Sequence, residues 1–418
     1  MSSAHDLHTF KQLTQLLSEH RSLWTESAFT KDTLSWVQEY SNLSHTLLSL
    51  SECDVTELDK ETKLLHFLEP YIPGLALVSD WTIPAGEGPP WKTSPRVLFG
   101  LPGRKKQQTE GFVRAILPLL DRLEDHTPRN NIVDWCSGRG LLARQLQEAC
   151  QSHVICLERD QSLCTSGHGA NAKLKPPMSD KISFVECDVL NPLDRKYFES
   201  SCLHTALHAC GDLHVSMLQQ AAHAKVPLIA CSPCCYHLTK NNTYQALSQH
   251  ARSASLKLTR SDLRLATAEI ATAKASEQSL RQRELLWRIA FDLRLRQLNN
   301  YEVYTPTPSI KKSLLKTNFE HYAQAMTKIL EKKGISSHSF LPLSPSEQKV
   351  LFHQAKSKLA RIKRLEKAQL GFRKAMECWL LLDRVLFLQE QGYRVQLRQF
   401  CSKQDSGRNI IILGSPLS

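Results

Sequence analysis

A chain of 418 residues exceeds one small domain and suffices for two or three. Hydrophobic residues at 41% and charged residues at 22% are ordinary globular values, which excludes a chain dominated by disorder. The net charge of +12 is unevenly placed. Residues 1–100 carry 7 Lys/Arg against 13 Asp/Glu, or −6, whereas 251–375 carry 25 against 10, or +15. A basic block of that size attracts polyanions, although a solvated helix surface has the same composition.

The N-terminus is polar and lacks the basic start and apolar run of a signal peptide. The most apolar late stretch, 379–388, is interrupted by Asp383 and Arg384 and does not read as a membrane span. A cytoplasmic protein without a membrane segment is therefore expected, with its thirteen cysteines mostly reduced. No obligate protein partner is indicated.

Residues 1 to about 70 predict helices, with Leu7, Phe10, Leu13, Leu16 and Leu17 recurring at three- and four-residue steps. The Pro- and Gly-rich run 84–90 reads as a linker. Arg104-Lys105-Lys106-Gln107-Gln108 follows, and 112–123 reads as a helix. From 131 onward, short apolar runs at 131–135, 153–157, 182–187, 205–209 and 226–231 alternate with helical stretches, as βαβ units with a parallel sheet do. After 250 the strands stop: 263–298 and 346–372 predict long helices around a loop at 301–308. Two last strands, 393–401 and 409–413, close on a hairpin-like connection. The economical arrangement is a seven-stranded sheet with an antiparallel last strand, interrupted by a basic helical insertion between strands five and six.

The first strand runs through Val133-Asp134-Trp135-Cys136-Ser137-Gly138-Arg139-Gly140 into a helix. Glycines at such a turn let backbone approach a ligand closely, and Asp134 can hold an ammonium group. Glu158 ends the second strand 24 residues later, where a carboxylate can accept from two ribose hydroxyls. Asp188 ends the third, placed to meet an adenine amino group. A glycine turn alone is weak, since many nucleotide folds share it.

Acids ending strands one, two and three resemble the class I S-adenosylmethionine-dependent methyltransferases. The resemblance covers about residues 100–240 and the final strands and implies a Rossmann-like α/β core, placed at 96–250 and 376–418; the helical segments at 1–95 and 251–375 are read from periodicity alone. It also implies S-adenosylmethionine as cofactor, with Trp135, Cys136, Ser137, Gly138, Gly140, Arg159, Val189 and His208 beside Asp134, Glu158 and Asp188 in its site. Cys136 departs from the family, which usually has a glycine there, and Trp135 beside it is unusual.

The fourth strand continues His208-Ala-Cys210-Gly211-Asp212 and the fifth Cys231-Ser-Pro-Cys234-Cys235-Tyr236-His237. This pair resembles a branch carrying His-x-Cys-Gly and Cys-Cys-Tyr or Cys-Cys-His, which includes the eukaryotic tRNA acceptor-stem 2′-O-methyltransferase and related methyltransferase-like proteins. Three chemistries compete. Cys234, Cys235, Tyr236 and His237 can form a polar wall for an acceptor hydroxyl or amine, with His237 or Asp212 taking its proton. Cys210 and Cys234 loosely match the two cysteines of RNA cytosine-C5 methyltransferases, which need a thiolate. Cys231-x-x-Cys234 with His237 supplies too few ligands for a closed zinc site; Cys210 and His208 could add to it, but nothing fixes the spacing, so no metal is assigned. Cysteines at strand ends also simply pack.

The basic insertion makes RNA, tRNA or rRNA, the favoured substrate, with Trp287, Phe291, Tyr301 and Tyr304 as candidate stacking residues. The alternatives are a methyltransferase of proteins or small molecules and a non-catalytic RNA-binding scaffold.

Overall fold

The computed structural model describes residues 3–417 apart from 87, 89–90, 100, 102, 125–130, 200, 269–274, 300 and 333–342. The described residues form a seven-stranded sheet: β1 (Asn131–Trp135), β2 (Val154–Glu158), β3 (Ile182–Glu186), β4 (Ser201–Cys210), β5 (Leu228–Cys234), β6 (Tyr393–Gln399) and β7 (Ile410–Pro416). Its order is β3-β2-β1-β4-β5-β7-β6. Strands β1 to β5 pair in parallel, and β7 runs antiparallel to both of its neighbours. This is the Rossmann-like class I methyltransferase fold anticipated from the sequence. Strand β5 is buried along all seven residues and β1 along its last four, as expected where helices cover both faces. All parallel crossovers place their C-terminal strand ends along one edge, where such sheets bind ligands.

Contacts divide the chain into two compact units that do not follow the four sequence segments. The first comprises 1–19, 77–268 and 373–418, and the second 20–76 and 269–372. Helix Ser3–Glu19 therefore joins the sheet-bearing unit, and the reading of 1–95 as one helical region is corrected. Its apolar stripe needs a partner, and helix Arg373–Glu390 provides one. Phe10 stacks on Trp379 at 5.2 Å, and Trp379 Nε1 donates to Thr14 Oγ1 at 2.9 Å. The run at 84–90 is not a plain linker either. Pro84 O accepts from Gln399 N, and Gly86 N donates to Gln399 O, both at 2.8 Å, so this segment pairs with the end of β6. Residues 87, 89 and 90 lie outside the described residues.

The second unit is helical. Helices Ala275–Asn299 and Pro345–Gly371 pack together, the latter opened by a capping box in which Ser344 and Glu347 satisfy each other's backbone. The opposite charges of 1–100 and 251–375 meet here. Asp32 takes Arg296 at 2.5 Å and Lys358 at 2.7 Å, Asp59 takes Lys367 at 2.5 Å, and Glu52 takes Arg364 at 2.8 Å. Part of the basic block is thus neutralised within the fold. No helix among the described residues is long and apolar enough to cross a membrane.

Candidate functional site

Asp134 is the penultimate residue of β1 and is 2% exposed. One carboxylate oxygen accepts from Thr205 Oγ1 at 3.1 Å, and Oδ2 has no partner. Burial pushes its carboxyl up to about 7, opposed by the Thr205 hydrogen bond and reinforced by the charge of Glu158. The chain then turns through Cys136 (φ 54°) and Gly138 (φ 57°). The cysteine thus occupies the left-handed region that favours glycine. Burial, with Glu158 and Asp134 nearby, pushes the Cys136 thiol up to about 12, so it stays protonated. Ser137 N donates to Leu157 O at 3.1 Å, and Ser137 O accepts from Gly140 N at 3.0 Å. A Cβ at Gly138 meets nothing within 4 Å, leaving an open cradle, whereas one at Gly140 lies 2.7 Å from Phe184 Cζ.

Glu158 ties two loops together. Gly138 N donates to its Oε2 at 2.9 Å, and Arg159 N and Asp160 N donate to Oε1 at 2.9 and 3.0 Å. Arg159 contributes its backbone here, with its side chain exposed. Asp188 follows β3 and accepts from Leu190 N at 3.1 Å. Val189 is buried, and its carbonyl accepts from Ser216 Oγ at 2.5 Å. Trp135, predicted beside the cofactor, faces the other way. Strand alternation turns its ring inward, where Nε1 donates to His204 Nδ1 at 2.9 Å. His204 Nε2 then faces Tyr197 O at 3.2 Å, and burial pushes the imidazole down to about 3. Only the backbone of Trp135 remains for a ligand.

A bulge between Leu207 and Ala209 leaves His208 at φ 58°. Its Nε2 pairs with Gln108 Oε1 at 3.2 Å, and Nδ1 is buried without a partner. Burial lowers it to about 4, aided by Arg408 and Lys105, so His208 is neutral. Beyond the bulge, Cys210 Sγ lies 3.2 Å from Cys234 Sγ. The hydrogen bond between the two sulfurs draws the Cys210 thiol down and raises Cys234, so the two titrate as a pair. No disulfide joins the described cysteines.

The predicted acceptor wall is only partly realised. Cys235 and His237 are partly exposed, and His237 Nδ1 has no partner. Tyr236 is 4% exposed and points inward, with the Arg384 guanidinium 4.8 Å from its ring centroid and His214 edge-on at 5.7 Å. Tyr236 therefore supports the site rather than lining it. Asp212 is partly exposed, and its Oδ2 accepts from Lys240 N at 2.7 Å, which closes the loop after β5. Sequence reasoning missed that support. Asp383 accepts from Leu247 N, Ser248 N and Ser248 Oγ at 3.0, 2.8 and 2.8 Å, and from the Tyr244 hydroxyl. The two charges that interrupt an apolar helix were the available signal, because a buried ion pair needs a partner network.

In the second unit, Glu52, Gln282, Arg283, Trp287, Lys356 and Lys363 are among the residues lining a groove of about 560 Å³. Trp287 and Phe291 are 7% and 0% exposed and pack on Tyr322, so base stacking by these two is corrected to core packing. Tyr301 and Tyr304 lie in the predicted loop and are partly exposed.

Residues 104–242 match the family described as "Methyltransferase domain", which coincides with the strand ends just built and with the class that the fold defines. Two curated relatives, from Drosophila melanogaster and Drosophila pseudoobscura pseudoobscura, are each a "Glutathione S-transferase C-terminal domain-containing protein homolog". They are 29% and 30% identical over 134 residues, 32% of this chain and 20% of theirs, so the match spans a fifth of those relatives' length. Among solved structures, the geranyl diphosphate C-methyltransferase of Streptomyces coelicolor A3(2) aligns over 37% of this chain and 58% of its own, at 18% identity and a TM-score of 0.23.

Proposed function

We propose that this chain is an S-adenosylmethionine-dependent methyltransferase that acts on RNA, tRNA or rRNA, by positioned transfer to a hydroxyl or amine. The observation that carries the reading is the buried, unpartnered Oδ2 of Asp134 beside the open left-handed turn at Gly138. A buried acceptor without a donor calls for a partner that the protein itself does not supply, and an ammonium group answers it. The residues fit the cofactor: Asp134 for the ammonium, Gly138 for close backbone approach, Glu158 for the ribose hydroxyls and Asp188 for the adenine amino group. When bound, the sulfonium supplies an electrophilic methyl group. The protein's task is then alignment of donor and acceptor, and effective molarity accounts for most of the rate. Cys235 and His237 border the acceptor position, and the partly exposed His237 imidazole takes the proton released by the acceptor. The branch resemblance of the strand-four and strand-five motifs also supports an RNA acceptor, and so does the basic groove containing Arg283, Lys356 and Lys363.

Calorimetry with S-adenosylmethionine tests the cofactor half: micromolar binding is expected, and its loss in both Asp134→Ala and Glu158→Ala. No binding to folded wild-type protein would leave the scaffold alternative. Transfer of labelled methyl to small RNA from a deletion strain tests the acceptor half. The product should be RNase-sensitive, and Lys356→Glu with Lys363→Glu should weaken it. RNase-resistant, protease-sensitive label would instead establish a protein acceptor.

A further inference from the structure

The sulfur atoms of Cys210, Cys234 and Cys235 all lie within 4.8 Å of one another. Methyl transfer as described above does not use three thiols at one point. Their convergence is built by unusual backbone. Cys210 and Cys234 are register partners across β4 and β5, on one face of the sheet. The bulge at His208 shifts β4 by one residue and creates that pairing. Cys235, the next residue, belongs on the opposite face by strand alternation, yet its φ of 45° turns it back toward the other two. Non-glycine residues persist in the left-handed region only where their surroundings over-determine them, and such residues cluster at ligand sites.

We propose that Cys210, Cys234 and Cys235 form a three-thiolate zinc site. Zinc–sulfur bonds of about 2.3 Å set tetrahedral sulfurs about 3.8 Å apart, inside the range from 3.2 Å for the Cys210–Cys234 pair to the 4.8 Å limit of the group. Three sulfurs select a thiophilic ion and disfavour magnesium or calcium. Three thiolates around a divalent ion leave one negative charge, and Arg408 acts electrostatically on both Cys210 and Cys235. Among the described residues no fourth thiol, imidazole or carboxylate joins the group. A solvent or substrate atom completes such a set, as in zinc sites that react rather than only brace a fold. Cys231, the partner suggested by the Cys-x-x-Cys spacing, is fully buried on β5 and outside the trio. Binding forms three Zn–S bonds and releases the remaining thiol protons to solvent.

The test uses the full chain, reduced and stripped with a chelator, titrated first with cobalt(II) and then with zinc. One equivalent of cobalt should bind with sulfur-to-cobalt charge-transfer absorption, and zinc should displace it. Zinc should protect Cys210, Cys234 and Cys235 from iodoacetamide in peptide mapping, while exposed Cys53 reacts regardless. Cys210→Ser and Cys235→Ser should weaken cobalt binding more than about 100-fold, and Cys53→Ser should not. Absence of the sulfur-to-cobalt band in wild-type protein, or an alkylation pattern indifferent to zinc, overturns the proposal. So does a Cys210–Cys234 disulfide whose reduction restores no cobalt uptake. The mapping needs no variant, so misfolding cannot obscure it. Calorimetry with S-adenosylmethionine on the same stripped sample separates this result from the methyltransferase reading.

Discussion

Nε of Arg384 donates to Nε2 of His214 at 3.1 Å, with both side chains essentially fully buried. The bond sets the tautomer, because His214 Nδ1 faces Ala209 O at 3.0 Å and must carry the proton. Arg384 also donates to the Tyr244 hydroxyl and to Leu380 O, both at 2.7 Å. One guanidinium thus links helix Arg373–Glu390 to the start of helix Asp212–His223 and to the loop after β5. Replacing it strands Asp383 and His214 without their cation. Arg384→Ala should cost about 3–5 kcal/mol, the usual penalty for breaking a buried charged pair. Urea denaturation measures it, and a loss below about 1 kcal/mol would show that the network does not support the loop.

Cofactor affinity should depend on pH through Asp134. In the ligand-free protein burial raises this carboxyl to about 7, so below that pH it is mostly protonated. An ammonium ligand needs the carboxylate, so binding expels a proton and tightens as pH rises through 7. Affinity should fall about tenfold per unit on the acid side. Calorimetry between about pH 5.5 and 7 checks this, and Asp134→Asn should abolish the slope. A flat wild-type profile would exclude Asp134 as the carboxylate ligand.

Two substitutions in the turn should act in opposite directions. Cys136→Gly relieves a left-handed residue and should be neutral or stabilising by up to about 1 kcal/mol. Gly140→Ala places a methyl 2.7 Å from Phe184 Cζ at φ 67° and should cost about 1–3 kcal/mol while weakening cofactor binding. Thermal melts of the two variants make the comparison directly.

Trp135→Phe separates support from ligand contact. It removes the hydrogen bond to His204 Nδ1 inside the core and should cost about 1–3 kcal/mol. Because the indole faces away from the turn, cofactor affinity should stay within about twofold. A larger loss of affinity in a folded variant would return Trp135 to the cofactor site.

The two buried histidines should work against stability in mild acid, while the raised Asp134 carboxyl works the other way. Burial lowers both His204, to about 3, and His214, so the unfolded chain takes up protons first. Their contribution is complete above about 6.5 and is lost as pH falls toward the folded values. Urea unfolding of wild type and His204→Gln across that range isolates the term, since the variant should lose less stability than wild type as pH falls.

The sequence by itself determined the sheet. Local alternation of apolar residues marks the strands, and their order of appearance allows few topologies. The three acids were legible for the same reason, since Asp134 and Glu158 sit at the C-terminal ends of their strands and Asp188 lies just beyond its own. What only tertiary structure decided depends on contacts across long separations. Strand alternation removes Trp135 from the ligand side, but its bond to His204 spans 69 residues. The roles of Tyr236 and Asp212 follow from Arg384 and from the loop that reaches Lys240. The convergence of Cys210 with Cys234 and Cys235 required one bulge and one left-handed residue, neither of which has a signature in composition or spacing. The charge asymmetry between the chain's segments was visible from the start. Only folding showed that Asp32, Asp59 and Glu52 neutralise part of it within the second unit.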